Sequence, residues 1–146
     1  MSTARIFTEV EMAYIRQAIA DAEKATSGEL RIFIDDHCKG DALEKAAFLF
    51  SKLGMHQTKL KNGVLIYMSI KDKKFAIIDD SGIHEKVKDE FWQATRNIMQ
   101  QHFIKGEFVQ GLVNGINEAG RMLSQFFPYQ SGDTNELSND IIFGNS

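Results

Sequence analysis

The chain has one cysteine, one proline and no long apolar run. Cys38 has no second thiol within the chain, so an internal disulfide and a zinc knuckle are both excluded. No 18 consecutive residues are apolar, which excludes a transmembrane helix, and the first seven residues lack the apolar stretch of a signal peptide. We therefore expect a cytoplasmic protein.

An excess of positive charge is also lacking. The chain has 17 Lys and Arg against 20 Asp and Glu, a net charge of −3 at pH 7. This balance provides no broad electrostatic attraction to nucleic acid, so a general nucleic-acid binder is disfavoured. The 146 residues, 43% of them hydrophobic, fit one domain. We expect its core over about residues 8–127, followed by a polar tail over 128–146.

Several motifs of hydrolase and nucleotide chemistry are missing too. The sequence contains no Gly-x-Ser-x-Gly, no Walker-type Gly-Lys-Ser or Gly-Lys-Thr, and no Gly-x-Gly-x-x-Gly. Its four histidines do not form a His-Glu-x-x-His motif, which disfavours a zinc hydrolase. No EF-hand pattern occurs, so any calcium site would have to be assembled from separate segments.

Apolar periodicity predicts an α/β fold. The unit from residue 29 to residue 70 is strand–helix–strand, which favours a parallel pair, and the next strand returns antiparallel through a tight turn. Helices can then cover both faces of a small mixed sheet, giving a three-layer α/β/α sandwich. The predicted helices span 8–25, 41–53, 84–101 and 108–127, and the predicted strands span 29–34, 63–70 and 74–79.

The most informative stretch is the segment 75–83, in which an apolar strand stops at Asp79 and Asp80. Because this strand is predicted to run antiparallel to the first two, its end should lie beside Glu29 and Asn62. Carboxylate and amide oxygens are hard donors that suit calcium or magnesium. We therefore predict a metal site formed by Glu29, Asn62, Asp79 and Asp80, with calcium as the expected ion and magnesium as the alternative.

Two other interpretations compete with this site. Asp79 and Asp80 could simply turn the chain and cap the next helix. A second acidic cluster, at the opposite end of the sheet, contains Asp35, Asp36, His37 and Asp41, but it lies in a loop. Strand ends hold side chains more precisely than loops do, so the first cluster is preferred.

Most aromatic residues are predicted to pack in the core. Phe48, Phe50, Phe91 and Phe126 occupy apolar positions in predicted helices or close to them. A packing role is also expected for Trp92, although it could line the rim of a pocket.

Five segments, 27–29, 62–66, 75–83, 103–111 and 135–141, have a characteristic order and spacing. In these segments the chain resembles the TPM domain family. The resemblance implies an α/β/α sandwich, divalent-cation binding in some members and a weak acid-phosphatase activity. It places the family's acidic positions on Asp80 and Glu29, while Asp79 stands where many members have glycine. The chain resembles a short, soluble, bacterial stand-alone form.

Three functions follow as hypotheses, and we prefer the first. It is a calcium-binding interaction or accessory module. The second is an accessory protein in which the acids are purely structural and the tail and Trp92 contact an unknown protein partner. The third is a weak metal-dependent phosphatase, in which Asp79 or Asp80 attacks or acts as a base and nearby lysines (Lys61, Lys86 and Lys88) offset the charge.

Overall fold

The computed structural model describes residues 7–87, 89–129 and 141–144. Short 3₁₀ turns lie at Met55–Gln57 and Asp89–Trp92, between the regular elements. No helix among these residues is long and apolar enough to cross a membrane. The helices are α1 (Glu9–Ala25), α2 (Ala42–Lys52), α3 (Ser81–His84), α4 (Gln93–Ile104) and α5 (Phe108–Phe126), and the strands are β1 (Glu29–Asp35), β2 (Gly63–Ser69), β3 (Lys74–Asp79) and β4 (Ile141–Phe143).

The sheet is mixed, with the strand order β3-β2-β1-β4. Strand β1 runs parallel to β2 and to β4, whereas β3 runs antiparallel to β2. Helices α1, α4 and α5 pack on one face around Leu30, Ile32 and Ile34, which are fully buried. Helix α2 packs on the other face around Phe33 and Tyr67. The predicted α/β fold, with helices on both faces of a small mixed sheet, is confirmed.

The fourth strand was not predicted. Residues Ile141–Phe143 were assigned to the polar tail, but they pair in parallel with Ile32, Phe33 and Ile34 of β1. Three apolar residues at the end of a polar segment give too short a pattern to indicate a strand. The rest of the predicted tail beyond Tyr129, apart from Gly144, lies outside the described residues.

The predicted helix over 84–101 is wrong in its boundaries. The chain forms the single-turn α3, then a 3₁₀ turn, and helix α4 begins only at Gln93. A tertiary hydrogen bond from the indole of Trp92 to Asp79 holds the turn, and the rings of Phe91 and Trp92 stack edge to face. The apolar spacing of this segment is compatible with either arrangement, so it could not reveal the break.

The predicted helix cap of α1 and the predicted burial of three aromatic side chains are confirmed. Thr8 and Glu11 form the predicted capping box at the start of α1. Phe50, Phe91 and Trp92 are buried as predicted, which removes Trp92 as a surface for partner contact.

Two predicted core residues, Phe48 and Phe126, are instead exposed. The Phe48 ring lies close to two lysine ammonium groups of its own helix, at 5.7 Å and 5.8 Å from the ring centre. Helical spacing placed Phe48 near the apolar face of α2, but that face already packs through Ala46, Leu49 and Phe50.

Candidate metal centre

The predicted site residues lie at the end of the sheet where β1 and β2 begin and β3 ends. The backbone N–H of Glu29 donates to the carbonyl of Asn62 at 3.0 Å, which joins the first two strands. The backbone N–H of Asp80 donates to the carbonyl of Gly63 at 2.9 Å, which joins the third. The predicted chain directions, on which the site depends, are therefore confirmed.

Glu29 and Asp80 belong to one row of residues across the sheet. Glu29 is paired with Gly63 on one side, and Asp80 is hydrogen-bonded to Gly63 on the other. Strand alternation places both acids on the face covered by α2. They are two strand spacings apart, about 10 Å between Cα atoms, and the glycine between them adds no side chain to the gap.

Two side-chain oxygens at this end are buried without a hydrogen-bond partner among the described residues. The first is Oδ1 of Asn62, a residue only 3% exposed whose Nδ2 donates to the carbonyl of Ser27 at 2.6 Å. The second is Oδ2 of Asp80. An unsatisfied buried acceptor costs about 1–3 kcal/mol, and a cation would remove that cost.

Asp80 also has the capping role that the competing interpretation assigned to it. It is the N-cap of α3, and its Oδ1 accepts from the backbone N–H of Ser81 at 2.7 Å. Capping uses only one of the two carboxylate oxygens, so it leaves Oδ2 without a donor in the described part of the chain.

Asp79 is separated from Glu29 and Asp80. It lies two residues after Ile77 and therefore on the opposite face of the sheet, with α4 and α5. The indole N–H of Trp92 donates to its Oδ2 at 3.0 Å, and Nδ1 of His84 lies 3.3 Å from its Oδ1. Its carboxylate thus ties the segment after β3 to the strand end.

Two members of the second acidic cluster, Asp35 and His37, make side-chain contacts at the opposite sheet end. Asp35 accepts from the Tyr67 hydroxyl at 2.7 Å. Nδ1 of His37 lies 3.4 Å from Oδ1 of the neighbouring Asp72, whose Oδ2 accepts from the backbone N–H of Cys38 at 2.6 Å. Nowhere in the described ranges are three His, Cys, Asp or Glu side chains arranged to hold a metal ion. A cation at the predicted site would therefore need the Asn62 amide in addition to carboxylates.

The Asp35–Tyr67 pair makes a testable contribution to stability. Both residues are at most 2% exposed, so the Tyr67→Phe substitution leaves Oδ2 of Asp35 without this donor. We expect the free energy of unfolding to fall by about 2 kcal/mol. Urea denaturation measures the change, with Tyr14→Phe on the exposed face of α1 as a matched control. Equal midpoints for Tyr67→Phe and the parent would contradict the assigned hydrogen bond.

Glu23 is a neighbour of the site that the sequence did not reveal. Burial, followed by the negative charge of Glu29, raises the pKa of Glu23 to about 8. The backbone N–H of Leu30 and the charge of Arg31 act in the opposite direction. Nothing in the spacing of α1 marks Glu23, because its partial burial depends on the start of β1, where it lies near Glu29, Leu30 and Arg31.

Comparisons with known proteins identify relatives of this chain. The sequence profile of the TPM domain matches residues 1–122. The chain is 46% identical to the BA42 protein of the psychrophilic bacterium Bizionia argentinensis, with a TM-score of 0.88 over 93% of this chain and 94% of that one. No curated protein matches.

Two further solved structures share the fold at low identity. The N-terminal domain of the cg2496 protein of Corynebacterium glutamicum is 11% identical, with a TM-score of 0.64 over 96% of this chain and 82% of that one. The N-terminal domain of a P. gingivalis protein is 14% identical, with a TM-score of 0.71 over 88% of this chain and 84% of that one. The profile match and the BA42 similarity together show that this chain belongs to the TPM domain family.

Proposed function

We propose that this TPM domain binds a divalent cation, calcium, at the sheet end formed by Glu29, Asn62 and Asp80, and that it acts as an accessory module. The observation that carries the proposal is the pair of buried, unpartnered oxygens, Oδ1 of Asn62 and Oδ2 of Asp80. A cation would supply the positive partner that both atoms lack among the described residues.

The chemistry of these donors favours calcium. Calcium accepts six to eight oxygen ligands, including amide and backbone carbonyls, in flexible geometry, whereas magnesium requires a near-ideal octahedron. The proposed ligands are one neutral amide and two carboxylates, and they come from three separate chain segments. Such a set suits the flexible coordination of calcium better than the strict octahedron of magnesium. Glu29 completes the row across Gly63, and the backbone carbonyls of Leu60 and Lys61 lie close to Gly82 at the same end.

The contacts of Asp79 favour cation binding over phosphoryl transfer. The phosphatase hypothesis assigns Asp79 or Asp80 as nucleophile or base, but Asp79 is engaged by Trp92 and His84 on the other face of the sheet. Of the lysines that this hypothesis invokes, Lys88 lies outside the described residues. A bound cation would instead link the starts of β1 and β2 to the end of β3, a stabilising role that suits an accessory module.

Calcium-dependent stability in adjacent variants tests this proposal. Asp80→Asn removes one negative charge from the proposed ligand set, and we expect calcium affinity to fall by about tenfold or more. Asp79→Asn removes the same charge one residue away, on the other face, and should change the affinity by less than about threefold. Saturating calcium should stabilise the parent by about 2.7 kcal/mol at a hundredfold excess over Kd.

Thermal unfolding in calcium and in chelator measures the stabilisation, and calorimetric titration measures the calcium affinity. An Asn62→Ala variant provides a second test, because it removes the neutral oxygen, leaves every charge in place and should also weaken calcium binding. Absence of calcium stabilisation in the parent, or equal losses in Asp79→Asn and Asp80→Asn, would refute the assignment.

A further inference from the structure

Four chain segments surround the proposed cation site and form one continuous surface, here called the strand-end surface: residues 26–29, 58–63, 79–86 and 126–129. Ser27 joins three of them, because its backbone N–H donates to the Phe127 carbonyl at 2.9 Å and its carbonyl accepts from Asn62 Nδ2. The carbonyl of Lys61 accepts from the backbone N–H of Gly82 at 2.8 Å, which joins the fourth. Nζ of Lys86 lies 4.9 Å from the centre of the Phe127 ring, and this contact joins the segments 79–86 and 126–129 and closes a ring of segments.

Large apolar side chains project from this ring. Leu60 is 55% exposed, Phe126 is 46% exposed and Tyr129 is 50% exposed. Single exposed apolar residues are ordinary, but three on the segments around one proposed site form a feature that marks interaction surfaces. Leu60 lies on the segment 58–63, whereas Phe126 and Tyr129 lie on the segment 126–129, so two of the four segments have exposed apolar side chains.

The charge of the strand-end surface depends on the cation. Acids outnumber lysines by one among its described residues, so the surface repels anions in the absence of a cation. One bound divalent ion changes the net charge of these residues from −1 to +1. The four acids are Glu29, Asp79, Asp80 and Glu85, and the three lysines are Lys59, Lys61 and Lys86.

We infer that the strand-end surface docks on an anionic phospholipid surface when calcium is bound. The inference rests on the proposed function, because bound calcium changes the net charge of the strand-end surface from negative to positive. Lysines would interact with lipid headgroups while Leu60, Phe126 and Tyr129 enter the boundary between headgroups and acyl chains. Exposed apolar side chains on two separate segments favour such a layer over an acidic peptide, which would be recognised along a groove.

Sedimentation with vesicles tests the inference. The vesicles contain phosphatidylcholine with about 30% phosphatidylserine, and pure phosphatidylcholine vesicles are the control. We expect binding only to the anionic vesicles and only in calcium. Leu60→Ala should weaken partitioning by about tenfold. The matched control is Ile104→Ala, which removes an apolar side chain that is 66% exposed at the C-terminal end of α4 and should leave partitioning unchanged.

Calcium binding measured without vesicles separates the two proposals. Calcium binding without vesicle binding would overturn the docking inference alone, as would equal partitioning of Leu60→Ala and Ile104→Ala. Binding to a soluble polyglutamate peptide in place of vesicles would also overturn it. Vesicle binding that persists in chelator would contradict the role of calcium, and absence of calcium binding would refute both proposals.

Discussion

Replacing Gly82 with alanine is expected to destabilise the fold by about 3 kcal/mol and to lower the thermal midpoint by roughly 10 °C. A Cβ atom at Gly82 would overlap the backbone carbonyl oxygens of Leu60 and Lys61. Both obstacles are backbone atoms, so no side-chain rotation relieves the clash. The segment 58–62 must move, and Asn62 moves with it. Differential scanning calorimetry of the variant and the parent measures the loss.

Gly28→Ala is the matched control at the same sheet end. There the nearest atom to the added Cβ is a side-chain methyl of Leu123 at 3.2 Å, which a small rotation can displace. We expect a loss of less than about 1 kcal/mol for this variant. If Gly82→Ala unfolded at the same temperature as Gly28→Ala, the close approach of the 58–62 segment to Gly82 would be incorrect.

Glu23→Gln is expected to stabilise the protein above pH 8 by about 2 kcal/mol and to leave it unchanged below pH 4.5. The pKa of Glu23 is about 8 in the folded protein, against an ordinary value of 4.5. Between these values the unfolded chain has lost a proton that the folded chain retains, so stability falls as pH rises. The expected effect is smaller than the full shift implies, because part of the side chain contacts solvent.

Urea denaturation in chelator at several pH values from about 4 to about 9 measures this difference. The exposed Glu90 provides the matched control, since Glu90→Gln changes the same charge without the burial. Parallel stability curves for Glu23→Gln and the parent across this range would contradict the raised pKa. If ionisation of Glu23 made the parent more stable as the pH rises, the pKa of Glu23 would be lowered in the folded protein and not raised.

Much of the fold could be predicted because its patterns are long and local. The continuous apolar run of β2 indicated a strand buried on both faces, and every residue of Gly63–Ser69 is buried. The strand–helix–strand order gave the parallel pair, and the short turn after β2 gave the antiparallel return. These two relations determine which strand ends meet, and so they bring Glu29, Asn62 and Asp80 to one end of the sheet.

The sequence could not predict that Asp79 and Asp80 lie on opposite faces of the sheet. Alternation alone places neighbouring strand residues on opposite faces, but the end of β3 could not be located to within one residue. One partner of Asp79 is Trp92, which was predicted to lie inside a continuous helix. The break in that helix and the partial burial of Glu23 both depend on tertiary contacts between distant segments.

A crystal grown with calcium, and measured for the anomalous scattering of calcium, would show whether and where the domain holds an ion. We expect one ion within about 2.3–2.6 Å of Oδ1 of Asn62 and Oδ2 of Asp80, at the end of the sheet where β1 and β2 begin. An ion bound beside Asp35, Asp36 and Asp72 instead, or both oxygens satisfied by protein donors with calcium absent, would contradict the proposed site.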